Sequence, residues 1–175
     1  FVLTSEVWIE REDFMEVPPK GYHRLVPGGE VRLRGVGIVK CQDVVKDANG
    51  DVLEVHCTLD ESTRHGMPGA DRKVKGTIHW VSAAEAVPAE VRLYNVLFNT
   101  PQPEAANFAE QINPQWLEVV TGMLEPALAS DNFAGAVQFE RQGYFVRDKD
   151  SAPRKLVFNR TVGLRDSYAK VAGDA

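Results

Sequence analysis

With 175 residues, 43% of them hydrophobic and 26% charged, the chain has the make-up of a soluble globular protein of one ordinary domain or two small ones. No run approaches the roughly 18 apolar residues that span a bilayer, and two cysteines are too few for a disulfide scaffold. A net charge of −5 argues against a protein that coats nucleic acid without sequence preference, because such affinity needs many phosphate contacts, but it leaves room for a small, locally basic reading surface.

The start, Phe-Val-Leu-Thr with no initiator Met, leads us to expect a piece of a longer protein. Residues 6–10, EVWIE, read as a short strand with Val7 and Ile9 on one face. Residues 11–20 hold Pro18-Pro19 and read as an irregular connection. Residues 30–46 supply one long strand, or two divided near Gly35 and Gly37. Asn49-Gly50 signals a hairpin turn, and 51–59 return antiparallel, which brings Cys41 and Cys57 near each other. We read both as small hydrophobes. A zinc site at His56 and Cys57 lacks a second ligand pair at a usable spacing, so no metal is expected.

Residues 60–73 are polar, with Gly66, Pro68 and Gly69, and read as an exposed, mobile loop. The next strand spans 75–82, with Ile78 and Trp80 on one face. Pro88 blocks a long helix, and 89–98 alternate again through Val91 and Leu93. The one helical candidate is 104–112, entered after Pro101 and Pro103 and ended by Asn113-Pro114. A strand at 116–122, a single turn at 125–128, a strand or hairpin at 135–148 broken at Gln142-Gly143, and a strand at 156–164 complete the chain. Nine or so short strands with one or two short helices make an all-β protein, of barrels or of a sandwich.

Enzyme signatures are absent: no Gly-rich phosphate loop, no Gly-x-Ser-x-Gly, no His-Glu-x-x-His. The four histidines are scattered, and His79 beside Trp80 reads as structural. The sequence offers no catalytic residues. What stands out is 20–40, where Lys20, Arg24, Arg32, Arg34 and Lys40 face a single acid, Glu30, for a local balance of +4. On a strand, Val31 and Leu33 point one way and Arg32 and Arg34 the other. Guanidinium groups suit bidentate contact with guanine and phosphate. Gln138 has an amide that both donates and accepts, with Val137 and Phe139 turned to the core and Arg141 following. On these residues alone, a solvated face and an RNA-binding face both remain open.

The blocks YHRLVPGGEVRLRG, VKGTIHWVSAAEAVPAEVRLYNVLF, VQFERQGYF and VFNRTVGLRDSYAKV, in that order, are similar to the C-terminal anticodon-binding region of bacterial glutaminyl-tRNA synthetases over nearly the whole chain. The resemblance implies two small, partly open Greek-key β-barrels of the ribosomal-protein-L25 type, at 1–72 and 73–175, with the last strand able to return to the first barrel. These would hold unstacked anticodon bases, as sequence-specific RNA recognition commonly does. By position, Arg24 matches the family's contact to the third base, Arg32 and Arg34 the surroundings of the first base, and Gln138, with Arg141 beside it, the reader of the central uracil. Lys20 and His23 complete the RNA-binding set. Two positions depart from the family pattern. His23 stands where Lys is common and carries less charge at neutral pH, and Gly21 replaces a polar Gln.

The parent enzyme implied is a cytoplasmic, ATP-dependent class I glutamine–tRNA ligase with no membrane association, monomeric by default. Its catalytic domain, with ATP and magnesium, would precede Phe1. This part itself would hold no cofactor and have two partners, tRNA of the glutamine isoacceptors and its own catalytic domain. Two alternatives share the architecture: the anticodon-binding module of an archaeal or eukaryotic glutamyl enzyme, and a ribosomal-RNA-binding barrel of the L25 kind. A single such barrel needs only about half this length.

Overall fold

A computed structural model describes residues 2–130, 133 and 135–164. The segment 165–175, which the resemblance assigns to the second barrel, and Phe1 lie outside the described residues. The described chain is built from strands and single turns of 3-10 helix, in two units, Phe1–Ala84 and Glu85–Ala175.

In the first unit, β1 (Val7–Trp8), β2 (Glu30–Leu33), β3 (Gly37–Lys46), β4 (Val52–Asp60), β5 (Thr77–Ile78) and β6 (Val81–Ser82) form two sheets, ordered β4-β3-β2-β5 and β1-β6. The alternation in β2 is realised: Val31 and Leu33 are buried, Glu30 is exposed and Arg32 lies between. Their core also takes Leu25, Val39, Cys41, Ile78 and Trp80. Residues 30–46 are two strands, not one, because Gly35 with φ +72 turns the chain between them and Val36 N–H donates to Leu33 O at 3.0 Å. The β3–β4 hairpin sets Cys41 opposite Cys57, as their spacing about Asn49-Gly50 predicts. Its turn rests on Gly50 at φ +89 and on the Asp47 carboxylate, which accepts the backbone N–H groups of Asn49 and Asp51.

The second unit is one five-stranded sheet, ordered β8-β7-β11-β10-β9, from β7 (Val87–Tyr94), β8 (Leu117–Leu124), β9 (Ala136–Phe139), β10 (Gly143–Arg147) and β11 (Leu156–Val162). All neighbours are antiparallel except β11 and β7. Ala89, Val91, Leu124, Phe145, Leu156 and Phe158 fill its core, where Phe139 stacks on Phe145 with centroids 4.2 Å apart.

The first unit runs through Ala84, since β5 pairs in parallel with β2 and β6 pairs with β1, which ties 77–82 to the first core. The described part of the last strand stays in the second unit, between β7 and β10. The all-β class holds, and no sheet closes into a complete barrel among the described residues. Residues 104–112 do not make a helix. They contain one 3-10 turn, Phe108–Gln111, inside an arm whose edges pair, with Asn99 N–H on Gln111 O and Asn113 N–H on Leu97 O. Prolines on both sides leave too few residues to nucleate an α-helix, which is unfavourable until a turn is complete.

Candidate nucleic-acid interface

In the first unit, the basic residues sit on three adjoining pieces: the loop 18–25, β2 with its following turn, and the loop 60–73. Lys20 and His23 are exposed on the first. Gly21 takes φ +90 in the turn that Tyr22 N–H closes on Pro19 O at 3.2 Å, a backbone shape that favours glycine, so the departure from Gln is also a turn requirement. Beside this loop, Gly76 has no room for a side chain, since a Cβ there would lie 2.0 Å from His23 O. The backbone of β5's approach therefore seats the His23–Arg24 loop directly.

Arg24 is half-buried and engaged. Its guanidinium lies 3.3 Å from the fully buried Asp13 carboxylate and donates to Glu12 O at 3.1 Å. Next to it, Leu25 N–H donates to Asp13 O and Met15 N–H to Leu25 O, so Arg24 closes a lock between the loop and the 3-10 turn Arg11–Asp13. A buried charge needs such a partner. Asp13, within the acidic run EREDF, reads in sequence as one more solvated acid, and nothing in the pattern shows that it is interior.

Arg32 does not stand open on the strand face as the alternation alone suggests. It donates from Nη1 to Thr63 O at 3.2 Å and from Nη2 to Ala70 O at 3.0 Å and Arg72 O at 2.7 Å. The loop 60–73 is thereby fastened to β2, and it is fastened again where Thr63, itself buried, accepts Ile38 N–H at 2.8 Å. Arg72 adds pairs to Glu30 at 2.9 Å and Asp60 at 3.2 Å. Hydrogen bonds from Ser62, with Arg72 close by, hold the Asp60 carboxyl below its usual value, and the Glu30 contact raises Arg72. The expected mobile loop is thus an anchored one. The acceptors of Arg32 are carbonyl dipoles, so these bonds leave its positive charge uncancelled. Arg34 lies just past the end of β2, in the turn 34–36. Its side chain is exposed, and its backbone is pinned by its own N–H on Ile78 O and by Trp80 Nε1 on its carbonyl.

In the second unit, Gln138 is exposed on β9, the edge strand, with Val137 and Phe139 turned inward as the alternation predicts. Its amide makes no hydrogen bond with any described residue. Arg141 is half-buried in the β9–β10 turn, where it takes φ +64. No set of three His, Cys, Asp or Glu side chains gathers as a metal site among the described residues. No described helix is long and apolar enough to cross a membrane.

Two family models match, over 1–60 and 77–148, and both carry the description tRNA synthetases class I (E and Q), anti-codon binding domain. The chain belongs to this family. Among curated relatives, it is 65% identical over 167 residues to the glutamine–tRNA ligase of Nitrobacter hamburgensis, covering 95% of this chain and 30% of that protein. The corresponding ligases of Bradyrhizobium diazoefficiens and Ralstonia nicotianae are each 55% identical, over 94% and 97% of this chain and 30% of theirs. The chain spans about a third of the length of the curated relatives it matches. The matched anticodon-binding blocks take in Lys20, His23, Arg24, Arg32 and Arg34 in the first and Gln138 and Arg141 in the second.

Proposed function

We propose that this chain is the anticodon-reading part of a glutamine–tRNA ligase and that it holds the unstacked anticodon bases of the glutamine isoacceptors. The observation that carries the reading is the 65% identity to a glutamine–tRNA ligase over 95% of the chain, within a family described by anticodon binding. The whole protein would join glutamine to tRNA with ATP and magnesium. That chemistry would lie in a catalytic domain outside these 175 residues, in a cytoplasmic, monomeric enzyme.

Within this part, Arg24 would meet the third anticodon base, Arg32 and Arg34 the first, and Gln138 with Arg141 the central uracil, while Lys20 and His23 add charge near the loop backbone. The amide of Gln138 supports its assignment, since it both donates and accepts and no described residue occupies it. Arg34, exposed at the end of a pinned turn, supports a contact that needs a rigid base and a long reach. Arg24 and Arg32 would act while still bound into the scaffold: each fixed guanidinium presents its remaining N–H groups in one orientation, which lowers the ordering cost of recognition.

The test is a titration of the chain, at stated salt, with stem-loops carrying the anticodon CUG or its central-C variant. Tighter binding of CUG supports the reading. Equal binding assigns the chain only charge and shape recognition, and no binding to either returns it to a structural role.

A further inference from the structure

We propose that Tyr144 is the stacking platform for the base that Gln138 reads. The inference rests on the reading above and adds a residue and a division of labour to it.

Gln138 and Tyr144 are direct partners in the β9–β10 pairing. Opposed residues in an antiparallel pair point to the same face, with Cβ atoms about 4.5–5.5 Å apart. The next pairs along the hairpin, Gly143 with Phe139 and Phe145 with Val137, turn the other way, and Phe139 and Phe145 stack in the core. So the amide and the phenol ring share the outer face. Tyr144 is 43% exposed there, and its hydroxyl makes no hydrogen bond with any described residue. On its other side its partner is Val162, 57% exposed. The ring therefore lies on open, water-facing sheet between a polar reader and an aliphatic flank.

Two irregularities fix the backbone that carries that ring. Gly143, immediately before it, has φ +137, and a Cβ there would come 2.4 Å from Val162 O, so the hairpin approaches β11 more closely than any side chain permits. Between Tyr144 and Phe145 the β10–β11 register shifts, Tyr144 facing Val162 and Phe145 facing Arg160. The intervening Thr161 donates from Oγ1 to Tyr144 O at 3.1 Å. A bulge of this kind bends its strand and re-aims side chains. Here it serves to hold an exposed aromatic beside an unoccupied amide.

A base whose edge meets Gln138 has its neighbouring face within reach of the Tyr144 ring. Stacking accepts every base, because each has a π-face. The amide distinguishes them by hydrogen bonding. Tyr144 would thus supply affinity without preference, and Gln138 preference.

The experiment titrates the 175-residue chain and three variants, Tyr144→Ala, Tyr144→Phe and Gln138→Ala, with stem-loops whose central anticodon nucleotide is U, C or abasic. Tyr144→Ala should weaken binding of the U loop about tenfold, as loss of one base stack does. Its U-over-C ratio should stay that of the parent chain, and the loss should vanish on the abasic loop. Tyr144→Phe should bind like the parent. Gln138→Ala should lose the U-over-C ratio. Parent-like binding by Tyr144→Ala, or a loss that persists undiminished on the abasic loop, overturns the proposal while leaving the broader reading intact. A parent chain that shows no preference for U overturns that reading and the proposal with it. Because Tyr144 is an exposed side chain, all variants should unfold within a few degrees of the parent, and a Tyr144→Ala chain that fails to fold would mark the ring as structural and overturn the platform role.

Discussion

The two units hold their candidate RNA contacts in opposite ways. In the first, Arg24 is locked to the buried Asp13, and Arg32 is spent on three carbonyls of the loop 60–73. In the second, Gln138 stands on an edge strand with its amide unoccupied by any described residue. Composition alone makes the arginines the more conspicuous readers. The geometry makes Arg24 and Arg32 part of the scaffold, so that removing either alters the shape of the candidate site as well as its contacts. Substitution of Gln138 is therefore expected to separate recognition from stability, and substitution of Arg24 or Arg32 is not.

The largest effect that comparison predicts is at Arg24. Arg24→Ala leaves the interior Asp13 carboxylate without its guanidinium partner and should destabilise the first unit by about 2–3 kcal/mol, below the full cost of breaking a wholly buried pair because Arg24 keeps some exposure to water. Urea unfolding would read this as a lower midpoint with an unchanged slope. If the midpoint holds, Arg24 is a surface residue and the contrast between the units weakens. A smaller effect is expected at Arg32. Arg32→Ala removes three charge-assisted bonds and should cost about 2 kcal/mol. It should also raise hydrogen exchange and proteolysis in 60–73, with Arg32→Lys restoring only part of the loss, since a point-like ammonium cannot serve three spread acceptors. Unchanged protection of that loop would show that Thr63 and Arg72 suffice to hold it.

The smallest effect concerns acid. In the second unit, a backbone bond from Asp150, the Asn159 amide and the nearby Arg92 hold the Asp148 carboxyl below its usual value. A group whose folded value is depressed stabilises the fold above its unfolded value, near pH 4, and loses that contribution as the pH falls through the folded value. Exchange protection of the β10–β11 amides should therefore decline below about pH 4. Asp148→Asn should flatten the decline, and an equally steep fall in that variant would place the acid sensitivity elsewhere.

Much of the fold could be read from the chain because its signals are local. Val31 and Leu33 alternate into the core, Asn49-Gly50 places Cys41 across from Cys57, and Gln142-Gly143 marks the β9–β10 turn. What could not be read is non-local. β5 is two residues long, too short to show a period, yet its parallel pairing with β2 ties it to the first core. The loop 60–73 reads as free because its anchors are one buried hydroxyl, Thr63, and carbonyls that every residue possesses. For the same reason alternation gives the face of Arg32 but not the direction its long side chain takes. The partner of Tyr144 could not be read either: counting outward from the Gln142-Gly143 break pairs it with Arg141, whereas the turn is centred on Arg141 and sets Tyr144 opposite Gln138.

The most direct test of the account is Gln138→Ala, measured for unfolding free energy and for its affinity ratio between the CUG stem-loop and its central-C variant. The account predicts stability within about 0.5 kcal/mol of the parent, as for an exposed side chain, and a loss of about 1–3 kcal/mol in discrimination. An unchanged ratio, or a fall in stability large enough to explain the loss, would contradict it.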